Sequence, residues 1–204
     1  MSETICVIGH STRPIERFLK ILVAHSITML VDIRTVPKSR HNPQFNSDAL
    51  SDSLAGAGIE YVHLKELGGF RHSSKNSVNT GWRNPSFRGF ADYMLTGEFE
   101  AGLDKVIRLG KSKKVAIMCA EGNPFRCHRS LVADALTIRG VHAVHISSEK
   151  RGKLHVLTSF AEVRGHKIRY IEAPAPDINS ARGAGNLMSK SKDSKAAGTL
   201  VRLM

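Results

Sequence analysis

The sequence predicts a three-layer α/β fold with an open, mostly parallel sheet and helices on both faces. Two observations lead there. Five short apolar runs, TICVI (4–8), TMLVDI (28–33), IEYVHL (59–64), KKVAIMC (113–119) and VHAVHI (141–146), alternate with segments of helical spacing. The runs are also nearly unbroken in Val, Ile, Leu and Met, as strands buried on both faces require. Alternation with helices implies right-handed crossovers and therefore parallel pairing.

The elements follow in order. PIERFLKILVAH (14–25) has one apolar face after the first strand, and Ser11 or Thr12 followed by Pro14 and Glu16 reads as a hydroxyl-capped helix start. SDALSDSLAGAG (47–58) is the helix between the second and third strands, and SFRGFADYML and EFEAGLDKVIRLG are the helices before the fourth. SLVADALTIRG (130–140) links the fourth strand to the fifth, and HKIRYI (166–171) predicts a further edge strand. Two stretches, 34–46 and 65–86, are too long to be plain connectors, and long loops in compact domains usually carry function. Their Phe45, Phe70 and Trp82 among polar neighbours predict ordered loops. From Ala173 onward the chain turns to Ala, Gly, Ser, Lys and Pro, too polar to offset its ordering entropy. A single domain over 1–172 with a disordered basic tail over 173–204 is therefore expected.

Composition narrows the class. With 204 residues, 41% of them apolar, the chain can bury an ordinary core. No run of eighteen apolar residues is present, which argues against a membrane span. MSETICVIGH lacks a basic leader and an apolar signal core, and reads as the first strand of a cytoplasmic protein. Three cysteines, Cys6, Cys119 and Cys127, have no disulfide-rich spacing, so free thiols in a reducing compartment are expected. The net charge is +12; the segment from Ala173 carries five basic and two acidic side chains, leaving +9 to residues 1–172. That balance favours an anionic small molecule or nucleic acid as partner without selecting either.

In an open parallel sheet, ligands bind beyond the carboxyl ends of the strands. Chemistry gathers at those ends here: His10, Ser11 and Arg13 after the first strand; Asp32, Arg34, Lys38, Arg40 and His41 after the second; His63 and Gly68-Gly69 after the third; Cys119 and Glu121 after the fourth. Each has an ordinary structural alternative. His10 can bond a backbone carbonyl, Asp32 can fix its own loop, and Arg34, Arg40 and His41 can form a solvated basic loop. Asn84 and Arg83, beside Trp82, are candidates to lid a pocket.

The densest stretch is CAEGNPFRCHRS (119–130), a strand-to-helix turn with two thiols, Glu121, Arg126, His128 and Arg129. A helix starting near Cys127 or His128 aims free N–H groups and a positive dipole end at the loop. A thiol there should titrate below its free value, Cys127 first and Cys119 second. Anions are equally at home there, so Glu121 stands out, either as a general acid or base or as a partner of Arg126 or Arg129. Four readings fit: a cysteine nucleophile with His128 or Glu121 moving protons; a redox dithiol; a metal site of Cys119, Cys127 and a histidine such as His10; or a buried strand end and a helix cap.

IGHSTRPIERFLKIL, LVDIRTVPKSRHNPQFN, YVHLKELGG and VAIMCAEGNPFRCHRSLVADAL together resemble the family of domain of unknown function 488 (DUF488), from about Ile5 to Ile146. The resemblance implies an α/β domain and leaves activity, cofactor and substrate open. More distantly, VDIR, a strand ending in cysteine and an arginine loop opening a helix are similar to rhodanese and cysteine-phosphatase sites. Those would place five residues between nucleophile and arginine, whereas six separate Cys119 from Arg126, with Glu121 and Pro124 among them.

The expectation is an enzyme acting on an anionic substrate, nucleotide- or nucleic-acid-related ones included. Cys127, Cys119, Glu121, His128 and His10 would do the chemistry, and Arg34, Arg40, His41, Arg126, Arg129 and Ser11 would hold the substrate. The alternatives are a nucleotide- or nucleic-acid-binding module and a Cys/His metal protein.

Overall fold

The structure is a computed structural model that describes residues 3–172; the expected tail lies outside the described residues. Six strands form the main sheet: β1 (Thr4–Gly9), β2 (Met29–Asp32), β3 (Glu60–His63), β4 (Val115–Cys119), β5 (His142–His145) and β6 (Lys153–Leu154). Their order is β3-β2-β4-β1-β5-β6, all parallel except the short antiparallel β6 at one edge. The helices are α1 (Ile15–Ala24), α2 (Ser47–Gly56), α3 (Pro85–Tyr93), α4 (Gly97–Ser112) and α5 (Arg129–Thr137).

The strands are apolar on both faces because each face meets a helical layer. Side chains of adjacent strand residues point to opposite faces. Ile5 and Val7 of β1, Met29 and Val31 of β2, and Val115, Ile117 and Cys119 of β4 pack with Phe90, Leu103 and Leu131 of α3, α4 and α5. Cys6, Ile8, Leu30, Ala116 and Met118 face the other way, against Phe18, Ile21, Leu50 and Leu54 of α1 and α2. The three-layer prediction holds. No helix among the described residues is long and apolar enough to cross a membrane.

Two local expectations are corrected. Ser11 and Thr12 do not cap α1: Pro14 holds the N-cap position without a side-chain bond, and Ser11 has φ 54° in the tight turn that leaves β1. The turn forms because Ser11 N–H donates to Ala120 O (2.8 Å), drawing the chain along β4 rather than into a helix start. The segment 166–171 is not an edge strand of the main sheet either. It supplies β8 (Lys167–Tyr170), paired antiparallel with β7 (Ala161–Arg164) in a separate two-stranded sheet. The outer edges are already taken by β3 and β6, and the hairpin docks on the helical layer instead, where Ile168 and Tyr170 are buried.

One buried carboxylate ties this closing segment to α5. Asp134, fully buried, accepts from His155 Nε2 (2.8 Å), Thr158 N–H (2.9 Å), Thr158 Oγ1 (2.7 Å) and the Tyr170 hydroxyl (2.8 Å). Asn79, also buried, donates to Asp92 Oδ1 (2.8 Å) and accepts from Tyr170 N–H (3.0 Å), joining the long 65–86 loop to the same hairpin. Ser74 N–H and Ser77 Oγ bond Asp92 as well, so the middle of this loop is pinned from Ser74 to Asn79.

A buried carboxylate with four donors is costly to delete, because the donors stay buried without an acceptor. Asp134→Ala is expected to lower stability by about 3–5 kcal/mol, read from the urea unfolding midpoint. Tyr170→Phe, which removes one of the four bonds, is expected to cost about 1–2 kcal/mol. An alanine variant as stable as the parent would remove Asp134 as the anchor.

Candidate functional site

The β1–β4 ladder does not stop at the strand ends. Gly9 pairs with Cys119, then His10 N–H donates to Cys119 O (3.0 Å) and Ser11 N–H to Ala120 O (2.8 Å). Ile33 N–H likewise donates to Met118 O (3.0 Å) beyond β2. Three neighbouring strand ends are thereby held side by side. Above them opens a cavity of about 510 Å³, within the usual size range of small-molecule sites.

His10, Arg34, Glu121, Arg126, Cys119, Cys127 and His128 all border this cavity. Arg40 and His41 do not: both are exposed on the 34–46 loop, which turns Lys38 and Ser39 to the cavity instead. Ser11 is half-buried in the turn and is not part of the lining. Arg129 is also outside the lining, although it shapes the site from beneath.

His10 is part of the wall. Its ring is buried and stacked on Phe45 at 4.2 Å. Nδ1 lies 2.7 Å from Ser11 O, which assigns the proton to Nδ1, and Nε2 then accepts from Arg34 Nη1 (3.4 Å). Burial holds the imidazole neutral, with its pKa pushed down to about 4.

Arg34 is bound as tightly. Its Nε donates to both oxygens of Asp32 (2.9 and 3.0 Å), and its Nη2 donates to Asp32 Oδ2 (2.6 Å) and Phe45 O (2.8 Å). Asp32 further accepts from Arg34 N–H (3.0 Å) and the Tyr61 hydroxyl (2.9 Å). The pair is buried and its charges cancel, so Arg34 braces the second strand end more than it attracts an anion.

Arg129, at the start of α5, is buried with Nη1 donating to Glu121 O and Nη2 to Gly122 O (2.8 Å). Its Nε has no partner among the described residues. The expected pairing of Glu121 with this arginine is thus made through the main chain and leaves the carboxylate exposed at the cavity rim. Gly9 makes the approach possible: a Cβ there would overlap Glu121 O and crowd Arg129 Nη1.

The helix after the turn starts at Arg129, beside the expected start near Cys127 or His128, with His128 as its N-cap residue and no side-chain cap. His128 bonds elsewhere. Its Nε2 lies 3.3 Å from Ile33 O, and with the proton assigned there Nδ1 is left as an acceptor. Nδ1 is 3.8 Å from Cys119 Sγ and 3.8 Å from Cys127 Sγ. Gly69 runs across this ring so closely that a Cβ would collide with Nδ1.

The two thiols are unequal, in the reverse of the order the sequence suggests. Cys119 titrates below a free thiol: the Cys127 S–H donates to it, Arg129 lies nearby, and the N–H groups of Glu121 and Ala120 point at it, together outweighing burial. Cys127 is pushed up, first by that same hydrogen bond to Cys119 and then by burial. The nearby His128 lowers it by less than these two causes raise it.

Cys119 Sγ, Cys127 Sγ and His128 Nδ1 lie within 4.8 Å of one another, a donor set suited to a thiophilic ion. His10, needed to complete a four-ligand set, is not in this group; its nitrogens face Ser11 and Arg34. Sequence reasoning missed the apolar part of the lining, Val36, Phe70 and Phe87, with Val36 54% and Phe70 80% exposed. The signal available for Val36 and Phe70 was the excess length of the loops that carry them; Phe87 lies in the first turn of α3. Asn84 does line the cavity and caps α3 through Ser86 N–H (2.9 Å), while Trp82 packs away from it on Phe87 and Phe160.

The family model described as "Domain of unknown function DUF488" matches residues 14–136, and the chain belongs to that family. The match takes in Asp32–Arg34, Gly68-Gly69 and the Cys119–Arg129 turn, and leaves out β1 with His10. No curated protein and no solved structure matches the chain.

Burial of His10 in the cavity wall and of His145 in β5 gives the fold a pH signature. His10 and His145 are each held at about 4 against 6.5 for a free imidazole. The unfolded chain therefore binds protons between pH 6.5 and 4 that the folded chain refuses. Stability is fully retained above pH 6.5 and falls as pH drops through 4, by up to about 3 kcal/mol per histidine. Urea midpoints at pH 7.5 and 4.5 should show His10→Gln losing less than the parent; equal losses would rule out the His10 contribution.

Proposed function

We propose that this DUF488 member is an enzyme that acts on a small organic anion through the thiol of Cys119, with Cys127 and His128 handling protons. The observation that carries the reading is the convergence of two sulfurs and one imidazole nitrogen at the floor of a cavity above parallel strand ends. A thiolate is the nucleophilic form of cysteine, and neighbouring cations and N–H donors favour it. Cys119 has Arg129 and the Ala120 and Glu121 amides for this purpose, and Cys127 as the thiol that keeps the proton.

His128 suits proton transfer because its Nε2 is tied to Ile33 O, which fixes the ring and presents Nδ1 to both sulfurs. The imidazole can take the proton of Cys127 and deliver it to a group departing from Cys119. Glu121, exposed on the rim, is a second proton carrier within the same lining.

Anion preference comes from Lys38 and Arg126, the exposed cations of the lining, since Arg34 is neutralised by Asp32 and Arg129 faces main-chain carbonyls. Val36, Phe70 and Phe87 complete the lining, which suits a substrate with an apolar or planar portion beside its charge.

Iodoacetamide at pH 7, followed by peptide mass spectrometry, tests the thiol. Cys119 is expected to be alkylated faster than free cysteine, and Cys127 more slowly. A Cys119 no faster than the free amino acid ends the reading. The anion is tested by protection. Phosphate or an aryl phosphate should slow alkylation of Cys119, and Lys38→Met with Arg126→Met should weaken that protection roughly tenfold or more, the worth of charge-assisted hydrogen bonds. Protection that survives in the double variant would remove those two cations as the anion site.

A further inference from the structure

A nucleophilic thiol needs no second thiol beside it, yet Cys127 shares one imidazole nitrogen with Cys119. Each Sγ is 3.8 Å from His128 Nδ1, the two lie within 4.8 Å of one another, and both border the cavity. The third cysteine, Cys6, is buried on the opposite face of the sheet among the α1 and α2 contacts and does not border the cavity. The sulfurs thus divide into a largely buried pair at the cavity wall and one thiol isolated from it.

We propose that Cys119 and Cys127 form a two-electron redox pair that hydroperoxides close to a disulfide and small thiols reopen, which switches the site off and shields its nucleophile from irreversible oxidation. The proposal rests on the reading of Cys119 as the reactive thiol.

The chemistry balances with a hydroperoxide as oxidant. The Cys119 thiolate attacks the terminal oxygen of ROOH, forming an S–O bond as the O–O bond breaks. The RO⁻ group leaves and takes a proton to become ROH. Cys119 is then a sulfenic acid, oxidised by two electrons that the peroxide has gained. Cys127 next gives its proton to His128 Nδ1, and its thiolate attacks the Cys119 sulfur. An S–S bond forms, the S–O bond breaks, and hydroxide departs with the proton from His128 as water. Overall, two thiols and ROOH give a disulfide, ROH and H₂O. Two equivalents of a small thiol restore both cysteines and leave as their own disulfide.

Geometry favours capture over further oxidation. A disulfide bond is about 2.05 Å long, so sulfurs within 4.8 Å of one another close it by side-chain rotation and a small shift of the intervening turn. Glu121, Gly122, Asn123 and Phe125 of that turn are exposed, and the shift works against the hold of Arg129 on the Glu121 and Gly122 carbonyls. A sulfenic acid with a thiol at this range reacts with it before a second peroxide arrives.

The test uses the full chain with hydrogen peroxide in a metal-free buffer containing a chelator. Remaining thiols are then blocked and the peptides identified by mass spectrometry. Two of the three thiols are expected to disappear together, in one peptide pair linking Cys119 to Cys127, and dithiothreitol should restore both. In Cys127→Ser the linked pair is lost, and Cys119 should instead be trapped by dimedone and advance to sulfinic acid several-fold faster than in the parent. Parent protein that shows dimedone-trapped or sulfinic Cys119 at the variant's rate, with no linked pair, overturns the redox pair and leaves Cys119 as a reactive thiol. Cysteines inert to both peroxide and iodoacetamide overturn the pair together with the thiol reading beneath it.

Discussion

The site depends on the β1–β4 hydrogen-bond ladder running two residues past the strands. His10 N–H on Cys119 O and Ser11 N–H on Ala120 O keep the first and fourth strand ends parallel where the chain would otherwise diverge. Such close running needs a residue without a side chain at Gly9, because the Glu121 carbonyl and the Arg129 guanidinium occupy the space a Cβ would take. Parallel pairing, a missing methyl and a buried cation are three faces of one constraint. Loss of any of them would move Cys119 relative to the wall formed by His10.

Arg129 is the energetic centre of that constraint. It is among the largest fully buried side chains and gives two of its donors to carbonyls of the turn. A buried cation is costly without compensation. The carbonyls of Glu121 and Gly122 supply part of that compensation, and the arginine in turn lowers the nearby Cys119 thiol. From α5 the same field reaches β5, where Arg129 helps to hold His145 neutral, behind burial and His155 as causes. Asp134, one turn further along the helix, draws His155, Thr158 and Tyr170 together, so the closing hairpin is anchored to the helix that carries the site.

The two thiols show how local rules give way to closer neighbours. Helix dipole and flanking arginines favour Cys127 when the turn is read alone. In the folded chain, Cys119 lies at the bottom of the turn with Arg129 and two amides around it, and Cys127 donates to it. Similarly, Arg34, Arg40 and His41 read as one basic loop, but the fold separates them. Arg34 is drawn inward by Asp32, while Arg40 and His41 stay in solvent.

What the sequence by itself determined is the sheet and where its chemistry lies. Unbroken Val and Ile runs at β1, β2 and β4 can be buried only between two helical layers, and parallel strands put His10, Asp32 and Cys119 at one edge whatever the loops do. The tertiary structure alone decided the destination of 166–171, which left the sheet because β6 held the edge, and the roles of the individual side chains around the cavity. Periodicity reports burial along one element. The charge state of a thiol, the freedom of an arginine and the lining of a cavity are set by distances between elements far apart in the chain, which no spacing within the sequence encodes.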